Sequence, residues 1–241
     1  MSQPKTNTFQ FKQFAVDQTG CAMKVNTDGV LLGALVTAKD PKSILDIGTG
    51  TGVIALMLAQ RFPMAIIDAV EIDKEAAETA KNNFHNSPFS DRCTCFPKSF
   101  EQYFAEYPDK TYDLIISNPP FFINSLKSST AAKEIARHTT MKFFSDLLAH
   151  VKVCLNENGR LSLILPFETA DMVTKLALDF GFYLRHQIKI ASFKDSEPHR
   201  KIVSFRREKG TLLSGDVVIY AEPKSYTEKY ARLLRDFLTI F

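Results

Sequence analysis

From Ser43 onward, apolar runs alternate with segments of helix length, and this predicts an α/β protein. Strands separated in this way need right-handed crossovers, so the expected architecture is doubly wound: a mostly parallel sheet of seven strands with helices on both faces. A glycine-rich turn between the first apolar run and the helical pattern after it fits the same plan.

Ser43–Gly48 (SILDIG) reads as a buried strand and Val53–Phe62 as the following helix. Ala65–Glu71 is the second strand, and Lys74–Phe84 is helical. Cys93–Phe96 and Tyr112–Ser117 supply the third and fourth strands. A helix over Met141–Leu155 leads into a strand at Arg160–Leu165, then a helix over Thr169–Phe180. The last two strands, Tyr183–Ala191 and Lys201–Arg206, flank a polar loop.

Ahead of this core, Phe9, Phe11 and Phe14 suggest strand alternation, and Thr19-Gly20 suggests a turn. Thr27-Asp28 opens a short apolar helix, with an acid near the positive end of its dipole. From Thr211 the tail offers a short strand pair, Val217–Tyr220 being its better half, and a helix over Thr227–Leu238. The expectation is one domain over 1–241: a core at 43–209, with 1–42 and 210–241 as additions to it.

At 45% hydrophobic, 11% aromatic and 24% charged, the 241 residues can bury a sizeable core, which excludes a disordered or fibrous chain. The longest apolar stretch, Gly29–Ala38, falls short of the ~20 residues that cross a bilayer, so no membrane association is expected. The first residues, MSQPKTNTFQFK, have no apolar signal core, which suggests a cytoplasmic protein. Cys21, Cys93, Cys95 and Cys154 form no disulfide framework, and neither they nor the five histidines show metal-ligand spacing. No metal is expected.

The net charge of +3 is unevenly placed. Arg185 to Lys209 holds eight Lys/Arg and three Asp/Glu, a local +5, which leaves −2 for the rest. Such a strip fits a polyanionic partner, and it equally fits a sheet edge charged to prevent aggregation.

Asp46-Ile47-Gly48-Thr49-Gly50-Thr51-Gly52 lies where the first strand turns into a helix. Glycines there permit positive-φ turns and let a ligand lie against the backbone; a purely structural turn is the alternative. Val53 stands where a dinucleotide fingerprint needs its third glycine, which disfavours a nicotinamide dehydrogenase. Glu71, ending the second strand, can accept from both ribose hydroxyls of an adenosine. Asp73 is placed to cap the next helix instead.

Asn118-Pro119-Pro120-Phe121 follows the fourth strand. Neither proline has an N–H, so the turn beyond Asn118 offers acceptors without competing donors. The Asn118 side-chain oxygen and the Pro119 carbonyl can each take a hydrogen of an exocyclic amine, and Phe121 can stack on the ring bearing it. A plain proline-rich turn is the alternative.

In that order, Asp46–Gly52, Glu71 and Asn118–Phe121 resemble class I S-adenosylmethionine-dependent methyltransferases acting on exocyclic amines or amides. The likeness is closer still to the bacterial tRNA1(Val) adenine-37 N6-methyltransferases, running from about Phe9 to Tyr226–Phe241 and including Lys24–Leu35. It implies a Rossmann-like fold, S-adenosylmethionine as cofactor and tRNA as partner. It also implies that Gly48, Gly50 and Gly52 pass the methionine part and Glu71 takes the ribose, with Asp46 and Asn118 also in the cofactor site. Ile72 would pack on the adenine, with Ser99 and Phe100 meeting that base; Ser99 stands where the family often has an acid. Asp28 would lie near the methionine ammonium, and Asn118, Pro119 and Phe121 would hold the target adenine.

Arg137 and His138 can meet RNA phosphate, although Arg137 can equally pair with Glu134. His199-Arg200-Lys201, between two polar turns, suggests that Arg200 and Lys201 contact RNA. Guanine-N2 methylation of ribosomal RNA fits the same tetrapeptide. Methylation of a protein glutamine fits it too, but such enzymes usually carry a helical substrate domain ahead of the glycine turn, and 45 residues precede Asp46 here. A non-catalytic RNA-binding module is the reading from another class, opposed by the intact motifs. A monomer is favoured.

Overall fold

The computed structural model describes residues 7–120 and 130–241, with side chains from 137 onward in the second segment. Phe121 therefore lies outside the described residues. The elements in chain order are β1 (Thr8–Gln10), β2 (Ala15–Asp17), α1 (Thr27–Leu35), β3 (Ser43–Ile47), α2 (Val53–Arg61), β4 (Ile66–Val70) and α3 (Lys74–His85). Then come β5 (Cys93–Phe96), α4 (Phe100–Glu106), β6 (Tyr112–Ser117), α5 (Thr130–Cys154), β7 (Leu155–Pro166) and α6 (Phe167–Asp179). The chain continues through β8 (Tyr183–Ala191), β9 (Arg200–Arg206), β10 (Leu213–Val218), β11 (Tyr220–Glu222), β12 (Ser225–Tyr226) and α7 (Glu228–Leu234).

Eight strands form the main sheet, in the order β10-β8-β9-β7-β6-β3-β4-β5. Only β9 runs against the rest. Seven strands were expected, and the eighth is β10, which joins the edge parallel to β8. Its sequence, LSGDVV, buries only Val217, so pairing with β8 rather than an apolar pattern makes it a strand. The expected tail hairpin forms one step later, from β11 and β12.

Starting from β3, the strands β4 and β5 step to one side while β6 and β7 step to the other. The loops leaving the carboxyl ends of β3 and β6 therefore diverge and open a crevice, where open α/β sheets bind ligands. Two apolar cores flank the sheet. Leu31 and Leu32 of α1, Leu56 and Met57 of α2, Phe84 of α3 and Leu234 of α7 fill one. Tyr103 of α4, Leu147 and Leu148 of α5 and Val173 of α6 fill the other. Each such large side chain stabilises the fold by about 1.5–3 kcal/mol on burial.

The chain ends brace each other: Phe11 bridges to Leu238, and the Lys12 N–H donates to the Phe237 carbonyl (2.8 Å). Helix α4 was not expected, yet its signal is present in the sequence. Ser99 and Gln102 make a reciprocal capping box, ahead of the buried Phe100, Tyr103 and Phe104.

One buried carboxylate ties β4 to the second core. Asp68 Oδ2 accepts from the Tyr103 hydroxyl (2.9 Å), the Tyr112 hydroxyl (2.7 Å) and the Lys110 ammonium. Asp68→Ala should cost about 2–3 kcal/mol in urea unfolding, because it strips the acceptor from two buried hydroxyls. Lys110→Ala should cost less than about 1 kcal/mol, since that ammonium is half exposed. Equal costs would show that the lysine, not the tyrosines, gives the cluster its strength.

Candidate active site

The turn after β3 holds Gly48, Gly50 and Gly52 at φ of 70°, 56° and 82°. A Cβ on Gly52 would lie 2.5 Å from Phe84 Cε1, so this glycine lets α3 close on the turn. A Cβ on Gly48 or Gly50 would meet nothing within 4 Å. Those two form an open backbone wall facing the crevice, a surface against which a ligand can lie.

Two carboxylates bracket that wall. Asp46, fully buried, accepts from Thr49 Oγ1 (2.6 Å) through Oδ2, while Oδ1 has no partner. Burial pushes the Asp46 carboxyl up to about 7, against the Thr49 hydrogen bond, which favours the anion. Glu71, at the end of β4, reaches across to the turn: Oε2 accepts from the Gly50 N–H (2.9 Å) and Oε1 from the Asp73 N–H (3.0 Å). The next side chain, Ile72, is 73% exposed, an apolar surface beside a polar acceptor. Asp73 caps α3 through the Ala76 N–H (2.9 Å), as its position suggested.

The opposite wall comes from α1 and β6. Asn26 caps α1 by accepting from the Gly29 N–H (2.9 Å). A Cβ on Gly29 would come within 3.8 Å of Asn118 Nδ2, so the start of α1 abuts the asparagine. Asn118 is 9% exposed, and its Oδ1 is buried without a partner. The Ser117 hydroxyl, donating to the Ile47 carbonyl (2.7 Å), fixes the end of β6 against β3. Asp28 is held by Arg200 at the start of β9, Nε to Oδ2 at 2.7 Å.

That contact gives Arg200 a partner within the fold: its guanidinium pairs with Asp28 and donates to the His199 carbonyl (3.1 Å). Lys201 is engaged more deeply. It is 5% exposed, pairs with Asp171 and lies 3.9 Å above the Phe167 ring, so no face is left for phosphate. The other three arginines of the basic strip are similarly engaged. Arg185 donates to the carbonyls of Glu208 and Lys209, Arg206 to that of Asn158, and Arg207 to those of Lys152 and Leu155. Much of the local positive charge therefore ties β8 and β9 to neighbouring loops. Arg137 and His138 are exposed on α5.

Ser99 is occupied as the cap of α4, and the Phe100 ring is buried edge-on to Phe143 and His150. Both side chains thus have a part in holding α4 against the second core. Asp46, Glu71, the glycines, Asp28 and Asn118 are brought together around one crevice. S-adenosylmethionine fits this set: an open glycine wall, an apolar surface for its ring, and buried acceptors lacking donors.

The Asp46 carboxyl gives a pH test. Since the fold holds the neutral acid, its contribution to stability is complete below pH ~4 and is lost as pH rises towards ~7, by up to about 1.4 kcal/mol per unit. The stability of the ligand-free protein relative to Asp46→Asn should therefore fall across that window in denaturant titrations. A flat difference would mean that Asp46 is already ionised in the fold.

The family model "Methyltransferase small domain" matches residues 21–182. The tRNA1(Val) (adenine(37)-N6)-methyltransferase of Pedobacter heparinus is 47% identical, covering 98% of this chain and 99% of that protein. Those of Flavobacterium psychrophilum (42% identical, 95% and 98% covered) and Escherichia fergusonii (39%, 97% and 95%) are also similar. Among solved structures, a predicted O-methyltransferase from Agrobacterium tumefaciens superposes with a TM-score of 0.65 at 18% identity, covering 87% of this chain and 96% of that one. A methyltransferase from Pyrococcus furiosus gives 0.54 at 20% identity, over 79% and 91%. These two establish the fold, and the near end-to-end relatives establish more: the chain belongs to the tRNA1(Val) (adenine(37)-N6)-methyltransferase family of class I S-adenosylmethionine-dependent methyltransferases.

Proposed function

We propose that this protein methylates N6 of adenine 37 in the anticodon loop of tRNA1(Val), with Asn118 and Pro119 holding the amine. The observation that carries the residue assignment is the unpartnered buried Oδ1 of Asn118, in a strand-end turn beside the glycine wall. An unmet acceptor there costs free energy in the ligand-free protein, and an amine hydrogen would satisfy it.

When bound, S-adenosylmethionine supplies a methyl group already activated on a sulfonium. The work left to the chain is positioning and electrostatics. Asn118 Oδ1 and the Pro119 carbonyl accept the two amine hydrogens, which turns the nitrogen lone pair towards the donor side of the crevice. The same acceptors stabilise the positive charge that develops on nitrogen. The amine is conjugated with its ring, so once methylated it sheds a proton readily and needs no strong base.

On this reading Glu71 takes the cofactor ribose, Ile72 packs on its adenine and Asp28 faces the ammonium. The glycines and Asp46 flank the methionine part. Backbone groups of the Ser99–Phe100 loop meet the base, and Phe121 stacks on the target ring. Arg137 and His138 meet RNA phosphate. The whole chain works as one unit, monomeric and cytoplasmic.

Asn118→Ala should lower kcat by about 10²–10³ with cofactor affinity nearly unchanged, as for loss of one charge-stabilising acceptor. Glu71→Ala should instead cost about 1–3 kcal/mol of cofactor affinity in calorimetry. The assay is labelled methyl transfer to unmodified tRNA, with nucleosides resolved by mass. Label in N2-methylguanosine would overturn the adenine assignment.

Arg200→Ala should weaken cofactor binding several-fold by releasing Asp28, while the salt dependence of tRNA affinity stays as in the wild type. A fall in that slope by close to one unit would return Arg200 to the phosphate-binding role.

A further inference from the structure

Among the described residues, one cluster of rings is set out in the open. Phe193 packs on Tyr220 (centroids 5.6 Å apart), Tyr220 stacks on Tyr226 (5.2 Å, 24°) and Tyr226 stacks on Tyr230 (5.1 Å, 13°). Tyr230 is 5% exposed and anchors the stack to the core. Phe193 and Tyr226 are the two exposed aromatics among the described residues, at 36% and 38%, and both belong to this one stack. Every other described Phe or Tyr ring is buried or half-buried, and these two face solvent.

The position of the stack gives it meaning. Strands β8 and β10 run parallel to β6, so their carboxyl ends reach the same rim of the sheet as Asn118. Phe193 follows the end of β8 and Tyr220 follows the end of β10; the Tyr220 N–H donates to the Ser192 carbonyl (2.9 Å), extending that pairing. The end of β8 is three strands from that of β6, and the end of β10 is four. At ~4.8 Å per strand the stack sits about 14–19 Å along the rim from Asn118, a gap that a few unstacked nucleotides span. Next to Phe193, residues 194–198 and Asp216–Val218 wall a cleft of about 340 Å³. Its polar groups are of both signs, Lys189 and Lys194 with Asp195, Glu197 and Asp216. A wall of mixed donors and acceptors suits the edge of a nucleobase, which also carries both, better than it suits a phosphate.

We infer that Phe193, Tyr220 and Tyr226 form a stacking platform for an unpaired base of the RNA substrate, a second point of attachment beside the target adenine. The inference rests on the tRNA reading above and extends it from the reacting base to a neighbouring nucleotide. Single-stranded bases stack on aromatic rings without strict sequence demand, so the platform sets reach and orientation while Asn118 selects the amine.

The test uses the full chain and an anticodon stem-loop RNA carrying 2-aminopurine at each unpaired position in turn. With the wild type, one position outside the target should be quenched on binding. Phe193→Leu and Tyr226→Leu, which keep an apolar side chain but lose the ring, should abolish that quenching and raise the RNA Kd about tenfold. Phe193→Trp should restore both. Cofactor affinity should match the wild type in all three variants, and Tm in the two Phe193 variants. Wild-type quenching and affinity in both leucine variants would overturn the platform while leaving the tRNA reading intact. A wild type that neither binds nor methylates the RNA would overturn both.

Discussion

The site depends on how the chain leaves β3. Three of five consecutive residues there adopt positive φ, which only glycine takes without strain. The turn is then held from three sides. Phe84 of α3 fills the space a Cβ at Gly52 would occupy, the carbonyl of Val70 accepts from the N–H groups of Gly48 (2.9 Å) and Thr49 (3.1 Å), and Glu71 accepts from Gly50. Asn83, 4% exposed on α3, adds a fourth tie. Its Nδ2 donates to the carbonyls of Thr51 and Asp17 (both 2.8 Å), and its Oδ1 accepts from the Asp17 N–H (2.9 Å). The amino-terminal hairpin is thus fastened to the glycine turn through one side chain, which explains why residues outside the βα core belong to the working structure.

A turn fixed so firmly allows polar groups around it to stay unsatisfied. Asp46, one residue before the end of β3, and Asn118, just after β6, belong to neighbouring strands, and the Oδ1 of each is buried without a partner. Each costs on the order of 1–3 kcal/mol in the ligand-free protein. The cost is sustained because the two apolar cores grip the sheet from both faces. Binding then proceeds with acceptors already aimed, so little ordering is needed when ligands arrive. Stability and function are in tension at these two atoms, and the packed surroundings decide the balance.

Strand and helix order was legible because it rests on apolar periodicity, which the two-sided burial of a parallel sheet writes strongly. The glycines, Glu71 and Asn118 were legible because their chemistry is local to strand ends. Helix α4 was missed although its Ser99–Gln102 box was visible, since seven residues give too short a period to stand out. Strand β10 could not be read, because its partner β8 is distant in sequence and its own pattern is weak. The engagement of the basic strip within the fold was not legible, for a physical reason. Composition counts cations but not their partners, and the partners of Arg200 and Lys201 are Asp28, 172 residues away, and Asp171, 30 residues away.

The reversed strand is what brings those distant partners together. Because β9 alone runs antiparallel, its first residue, rather than its last, reaches the rim where the other strands end. Arg200 therefore arrives beside the start of α1, and Arg206 is carried to the far end of the sheet. The loops before and after β9 are also forced to opposite ends of the sheet. That leaves the rim from β10 to β6 to be built from short strand-end segments, with Phe193, Arg200 and Asn118 following one another along it. One strand's direction thus decides which charges reach the crevice and which lie at the far end of the sheet.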